Sequence, residues 1–174
     1  MNYKYYSNFK SLINYDDFNK FISLINEGIK THFDKEIQNM ELLYQGSIEG
    51  FNGVKFHDKC ERIKYTLTLV VTEIKLIFGS FMELNFEKKD PPTLAKKGFI
   101  FNLSENLIYY SKTDFLIFGG RDLGPYIADV FYIKDKSGYN FGFHGNKYFD
   151  IKDYDLIFNK SFPIKDYAVF QIDI

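Results

Sequence analysis

Residues 65–82 read YTLTLVVTEIKLIFGSFM, and this stretch decides the fold class. Threonine alternates with aliphatic residues from Tyr65 to Thr72, and a second apolar run extends from Lys75 to Met82 beyond a tight turn near Glu73. A period of two places successive side chains on opposite faces of a strand, and two such runs joined by a short turn form a hairpin. The stretch therefore predicts an antiparallel β-hairpin.

The same period recurs along the rest of the chain. Residues 99–103 and 107–111 predict a second hairpin, and a helix at residues 54–62 interrupts the strands. Further strands are predicted at residues 42–45, 115–118, 126–134, 139–143 and 168–174. Many short strands with turn signals between them are typical of a β-sandwich or barrel.

The N-terminal region follows a helical period instead. Apolar residues recur at spacings of three and four, which makes one stripe on a helix that Asp16 is expected to cap. The stripe consists of Phe18, Phe21, Ile22, Ile25 and Ile29. Gly28 weakens a helix interior and predicts the end of this one. We therefore divide the chain into a helical N-terminal extension, residues 1–39, and a β domain, residues 40–174.

Composition excludes several classes of function. A net charge of −1 gives no signal for nucleic-acid binding, since nucleic-acid modules normally show a basic face. No apolar run approaches the length of a membrane helix. Cys60 is the only cysteine, so an internal disulfide is impossible and a reducing compartment is the simpler assumption. These features predict a cytoplasmic protein.

His57 and Cys60 stand three residues apart in the predicted helix of residues 54–62, so both could face one metal ion. A zinc site needs three or four ligands, and the other histidines, His32 and His144, are distant in sequence. We interpret Cys60 as a small apolar core residue and His57 as a hydrogen-bonded one. A redox-active Cys60 would need a lowered thiol pKa.

Residues 119–124 read GGRDLG, a glycine-rich run similar to a phosphate-binding loop. The run lacks the Lys-Ser/Thr ending of such loops, and a strand rather than a helix is predicted after it. We therefore expect Gly119 and Gly120 to occupy backbone geometry that a β-carbon would strain, or to make a close approach to another strand.

Segments in order over residues 40–174 together resemble the TLDc domain family. The similar segments are 42–51 (LLYQGSIEGF, with Gly46, Gly50 and Phe51), 56–60 (FHDKC, with Phe56, His57 and Cys60), 66–70 (TLTLV), 77–81 (IFGSF, with Phe78 and Gly79), 99–103 (FIFNL), 118–120 (FGG, with Gly119 and Gly120), 124–129 (GPYIAD) and 162–170 (FPIKDYAVF, with Asp166 and Phe170). Each piece is weak, and the set in the right order is specific.

The resemblance implies an α+β fold, mainly β, in which a two-sheet antiparallel β-sandwich is flanked by helices. It also implies a non-catalytic protein-interaction module of intracellular eukaryotic proteins, linked to oxidative-stress resistance. The implied partner is the peripheral sector of the vacuolar proton-pumping ATPase, which such modules regulate, and no metal or organic cofactor is implied.

Two departures from the family pattern affect these expectations. Ile48-Glu49 stands where the first turn usually has Arg-Asp, and Ala168 stands where the closing segment usually has a second glutamate. Asp166 replaces the first glutamate of that pair. Because Ala168 replaces the second, any role of the second carboxylate cannot operate here. The alternative functions are an enzyme of unknown activity and a scaffold fragment that associates through its N-terminal helix.

Overall fold

Short strands dominate the chain, which a computed structural model describes over residues 3–83, 93–118, 120, 123–127, 131–134, 140–142, 149–150 and 161–174. The helices of these residues are α1 (Tyr3–Tyr6), α2 (Tyr15–Phe33), α3 (Gly46–Glu49) and α4 (Gly53–Cys60). The strands are β1 (Asn39–Gln45), β2 (Thr66–Thr72), β3 (Ile77–Met82), β4 (Thr93–Ala95), β5 (Gly98–Asn102), β6 (Leu107–Tyr110), β7 (Phe115–Phe118), β8 (Leu123–Ile127), β9 (Phe131–Lys134), β10 (Asn140–Gly142) and β11 (Ser161–Asp173).

Both predicted hairpins are confirmed. Strands β2 and β3 pair antiparallel with Thr68 opposite Ser80, and β5 and β6 pair antiparallel with Ile100 opposite Tyr109. The turn between β2 and β3 is closed by a hydrogen bond from the Lys75 amide to the Thr72 carbonyl. The period of two in the sequence therefore identifies four consecutive strands of one sheet, from β2 to the edge strand β6.

Two antiparallel sheets share the long strand β11. Its C-terminal part lies between β1 and β2, and β3, β5 and β6 continue that sheet. Its N-terminal part pairs with β10, from which β9, β8, β7 and β4 follow in order. The pairing of β11 with β2 shifts register between Ile164 and Asp166, at the point where β11 passes from one sheet to the other. This arrangement confirms the predicted two-sheet antiparallel β-sandwich with helices.

The sheet that contains β2 is buried on both faces. Leu67 and Leu69 face α2, whereas Val70 faces the second sheet. We call the first set of buried residues the helix-side cluster, and it includes Phe9, Leu12, Ile13, Phe18, Phe21, Ile22, Leu24, Ile25, Ile29, Leu67, Leu69, Phe81, Phe99, Phe101, Ala168 and Phe170. We call the second set the inter-sheet cluster, and it includes Tyr44, Phe56, Cys60, Val70, Phe78, Ile100, Phe115, Ile117, Ile127, Ile133, Tyr167 and Val169.

The limits of α2 differ from the prediction at both ends. Asn14, not Asp16, caps the helix, because Asn14 is extended and its side-chain oxygen accepts from the Asp17 amide at 2.9 Å. Gly28 does not end the helix, which continues to Phe33. A β-carbon on Gly28 would lie 2.6 Å from the Phe99 ring, so this glycine lets the helix approach β5 closely.

Two strand predictions are also corrected. The single strand predicted at residues 126–134 is two antiparallel strands, β8 and β9, with Ile127 opposite Phe131. The apolar pattern hides the reversal because the strands on both sides of it are aromatic and aliphatic. The last strand, predicted at residues 168–174, starts at Ser161 and has 13 residues. Within the described chain, no helix is both long and apolar enough to cross a membrane.

Candidate functional site at the junction of α3, α4 and β11

Family-like residues from three distant segments meet beside β11. The α3–α4 segment supplies Gly46, Gly50, Phe51, Phe56, His57 and Cys60, the turn before β8 supplies Gly120, and β11 supplies Asp166. Helix α3 follows directly on β1, which pairs with β11, so the sheet itself brings the first segment to the last. The resulting junction is the candidate functional site.

The buried carboxylate of Asp166 connects β11 to α3. Its Oδ1 atom accepts from the Ser47 amide at 2.9 Å, and its Oδ2 atom accepts from the Ser47 hydroxyl at 2.6 Å. The Gln45 side-chain amide also donates to Oδ2, at 2.7 Å, and donates to the Ser11 hydroxyl at 3.2 Å. One carboxylate therefore satisfies a backbone amide that the start of α3 leaves unpaired, and it joins three parts of the chain.

A strained turn follows α3 and is held by ring packing. Gly50 and Phe51 both have positive φ, 78° and 51°, and the second value is uncommon for a bulky side chain. The Phe51 ring packs over Gly46, whose β-carbon would lie 2.6 Å from it, and lies 6.0 Å from the Tyr167 ring. Gly46 therefore leaves space for the Phe51 ring, whereas Gly50 allows a left-handed backbone conformation.

Helix α4 places His57 and Cys60 in the protein interior. Both side chains are fully buried, and the Nε2 atom of His57 lies 3.0 Å from the Gly120 carbonyl oxygen. Because a carbonyl can only accept, Nε2 carries the hydrogen and donates. The Gly120 backbone also lies close to the Leu123 side chain, since a β-carbon on Gly120 would be 2.7 Å from it.

Burial raises the pKa of the Cys60 thiol well above its usual range, and the nearby Lys59 ammonium only partly opposes this. A raised pKa keeps the thiol protonated and is the opposite of what redox reactivity requires. This observation agrees with Cys60 as a small core residue. Across the described residues, no group of three or more His, Cys, Asp or Glu side chains is gathered as metal ligands would be.

Three other family-like residues lie outside this junction. Phe78 belongs to the inter-sheet cluster, Phe170 stacks on Phe9 in the helix-side cluster with ring centroids 4.2 Å apart, and Gly79 lies between paired strands. Their positions are those of core residues. Gly119 lies outside the described residues.

One cluster was not found by sequence reasoning. His32, at the end of α2, lies with its Nε2 atom 3.1 Å from the Ser111 hydroxyl, and Lys97 donates to the His32 carbonyl at 3.2 Å. Burial, and then the Lys97 charge, lower the pKa of His32, while Asp150 raises it. The Gly98 amide donates to the same Ser111 oxygen at 3.2 Å, so the hydroxyl is held between strand and helix. This pairing fastens α2 to the sheet. His32 and Ser111 are 79 positions apart, so no local pattern in the sequence predicts this contact.

The family model described as the TLDc domain matches residues 6–172 of this chain. The chain belongs to the TLDc domain family. This finding confirms the resemblance that the motifs carry, and a comparison with curated proteins finds no match. The matched range includes α2, which the sequence analysis assigns to an extension before residue 40. The boundary at that residue stays a prediction.

In this TLDc domain the two departures in sequence lie at different depths. Ala168, where the resemblance predicts a glutamate, is fully buried in the helix-side cluster, so a carboxylate there would face α2. Ile48 is 70% exposed on α3, and the adjacent Glu49 pairs with Lys59 at 2.5 Å and with Lys55 at 3.7 Å. The first departure changes the core and the second changes the surface.

Replacement of Asp166 by asparagine is expected to destabilise the TLDc domain by about 1.5–3 kcal/mol, because hydrogen bonds to a charged acceptor are lost and an amide group then faces donors. Urea unfolding of the purified variant measures this change. The matched control is Asp173→Asn on the same strand, where the side chain is exposed and the expected change is within about 0.5 kcal/mol. Equal effects of the two substitutions would contradict the role given to Asp166.

Proposed function

We propose that this TLDc domain is a non-catalytic protein-interaction module that binds the peripheral sector of the vacuolar proton-pumping ATPase and, through such binding, contributes to oxidative-stress resistance. The observation that carries the proposal is the family match over residues 6–172. The proposed location is the cytoplasm, with the pump as the route to organelle membranes.

The surface of the junction supports a binding role. Asp166 and the Phe51–Tyr167 packing fix the backbone of α3 and its turn before any partner arrives. A surface that is ordered in the free protein loses less entropy when it binds, and therefore retains more of its contact energy as affinity. The exposed Ile48 side chain supplies apolar area at this ordered position.

An enzyme is the first alternative, and it would need nucleophilic or acid–base groups that converge in a pocket. Cys60 and Ser111 are two nucleophilic side chains among the described residues. Burial raises the pKa of Cys60, and the Ser111 oxygen accepts from the Gly98 amide. The raised pKa keeps the Cys60 thiol protonated, which favours binding over turnover at that residue.

A scaffold fragment that associates through α2 is the second alternative. Its apolar stripe, which includes Phe21 and Ile25, is already buried against the sheet in the helix-side cluster. The outward side of α2 carries polar and charged residues such as Asn26, Glu27 and Lys30. An apolar helix–helix contact with another chain thus has no exposed stripe to use, which favours the pump over this alternative.

Co-elution with the purified peripheral sector tests the proposal. Chain and sector are mixed at micromolar concentrations and separated by size, and ATP hydrolysis by the sector is followed in parallel. We expect the chain to elute with the sector and to change its hydrolysis rate. Separate elution together with an unchanged rate would reject the pump as partner and leave family and fold standing.

A further inference from the structure

Four polar side chains lie on the inner face of the sheet that contains β2, the face turned towards the second sheet. Successive side chains of a strand alternate between faces, so those that alternate with Leu67, Phe81 and Phe101 of the helix-side cluster point between the sheets. Val70 and Ile100 of the inter-sheet cluster share this face. The four polar residues are Thr66 and Thr68 on β2, Ser80 on β3 and Asn102 on β5, and none is more than 1% exposed.

Each of these four side chains has a buried polar atom that no described residue pairs. The atoms are the Oγ1 of Thr66 and of Thr68, the Oγ of Ser80 and the Nδ2 of Asn102. Buried polar groups in folded proteins are paired with protein or with ordered water, because an unpaired one costs stability. Thr72, on the same strand and face, obeys this rule, since its hydroxyl accepts from the Leu76 amide at 2.9 Å. Four such atoms on three adjacent strands indicate a ligand that supplies the missing hydrogen bonds.

Thr68 and Ser80 have the placement that a shared ligand needs. They stand directly opposite each other across the β2–β3 ladder. Opposed side chains of an antiparallel pair have β-carbons about 4.5–5.5 Å apart, and a water that bonds two oxygens at about 2.8 Å each spans about 4.5 Å. Both side chains are also smaller than their neighbours in the row, Val169 on β11 and Ile100 on β5. The opposed pair therefore suits one bridging water.

We propose that Thr66, Thr68, Ser80 and Asn102 form an internal hydration site, which we call the inter-sheet water site. One water bridges the Thr68 and Ser80 hydroxyls, and further water pairs with Thr66 and Asn102. The ligand is neutral because all four groups are neutral and lie among buried apolar side chains, where an ion without an opposite charge is strongly disfavoured. Water fits because hydroxyls both donate and accept, and buried water typically makes about three hydrogen bonds. The site goes beyond the proposed function, since it involves no partner.

Oxygen-17 relaxation dispersion of water tests the site in the full chain, because it detects water molecules held inside a protein and is blind to exchanging hydroxyl hydrogens. The double variant Thr68→Val/Ser80→Ala should lose the signal of about one long-lived water per chain relative to the wild type. Thr72→Val is the matched control, with the same substitution on the same face of β2. It removes a hydroxyl that the protein itself pairs, so the water signal should be unchanged.

Thermal unfolding gives a second readout whose sign depends on the site. In a hydrated site, Thr68→Val removes one partner of the bridging water and should lower the unfolding midpoint by about 2–4 °C. If the Thr68 hydroxyl is dry, the same substitution removes an unpaired polar group and raises the midpoint. A raised midpoint, or an unchanged water signal in the double variant, overturns the inter-sheet water site. A signal that falls equally in Thr72→Val also overturns it, because the lost water would then not belong to Thr68 and Ser80.

Discussion

A chain that starts at residue 39 is expected not to fold into a cooperative domain. It would lose nine apolar side chains that are buried against the sheet, namely Phe9, Leu12, Ile13, Phe18, Phe21, Ile22, Leu24, Ile25 and Ile29. Burial of such a side chain stabilises a protein by about 1.5–3 kcal/mol, and net stabilities are only about 5–15 kcal/mol. Size-exclusion chromatography and thermal unfolding of residues 39–174 measure the outcome, which should be aggregation without a sharp transition.

The full-length chain provides the matched comparison for this truncation. Ile25 is fully buried on α2 and the adjacent Asn26 is exposed, so both can be changed to aspartate within one helix. Ile25→Asp is expected to destabilise the domain by roughly 4 kcal/mol or more, since it buries a charge in an apolar cluster. Asn26→Asp should change stability by less than about 0.5 kcal/mol. A cooperative transition of residues 39–174 near the wild-type temperature would instead show that residues 40–174 are an independent domain.

Gly79→Ala is expected to destabilise the domain by about 3 kcal/mol or more. Gly79 lies in β3 opposite Leu69 of β2 and Phe101 of β5, and an added β-carbon would overlap the Thr68 carbonyl oxygen and the Phe101 ring. The carbonyl belongs to a paired strand and cannot move aside without breaking the β2–β3 ladder. The midpoint of urea unfolding measures the loss.

Gly50→Ala is the comparison for Gly79→Ala. Gly50 has a φ of 78°, and a β-carbon there meets nothing within 4 Å. The cost is therefore only that of a left-handed backbone with a side chain, about 1–2 kcal/mol. A Gly79→Ala variant as stable as Gly50→Ala would show that the strands can separate to admit a methyl group, and would contradict the close approach.

The candidate site was only partly accessible to sequence reasoning. Gly46, Phe51, His57 and Asp166 were identified because they resemble family motifs, and the resemblance gave no contact between them. The contact between Ser47 and Asp166 joins residues 119 positions apart, and Gln45 entered only as the last residue of a predicted strand. A buried carboxylate that accepts hydrogen bonds from a distant turn leaves no periodic pattern in the sequence. Its partners depend on which strands become neighbours in the fold.

Periodicity in the sequence determined the two hairpins, the amphipathic helix and the antiparallel class, because alternation of apolar residues reports directly which side of an element is buried. The order of the motifs along the chain identified the TLDc domain family. Tertiary structure alone decided that β11 serves two sheets, that Gly28 continues a helix against Phe99, and that His32 is fastened to Ser111. These features arise where elements distant in sequence come within a few ångströms, and the energy of such contacts depends on three-dimensional packing that no local pattern contains.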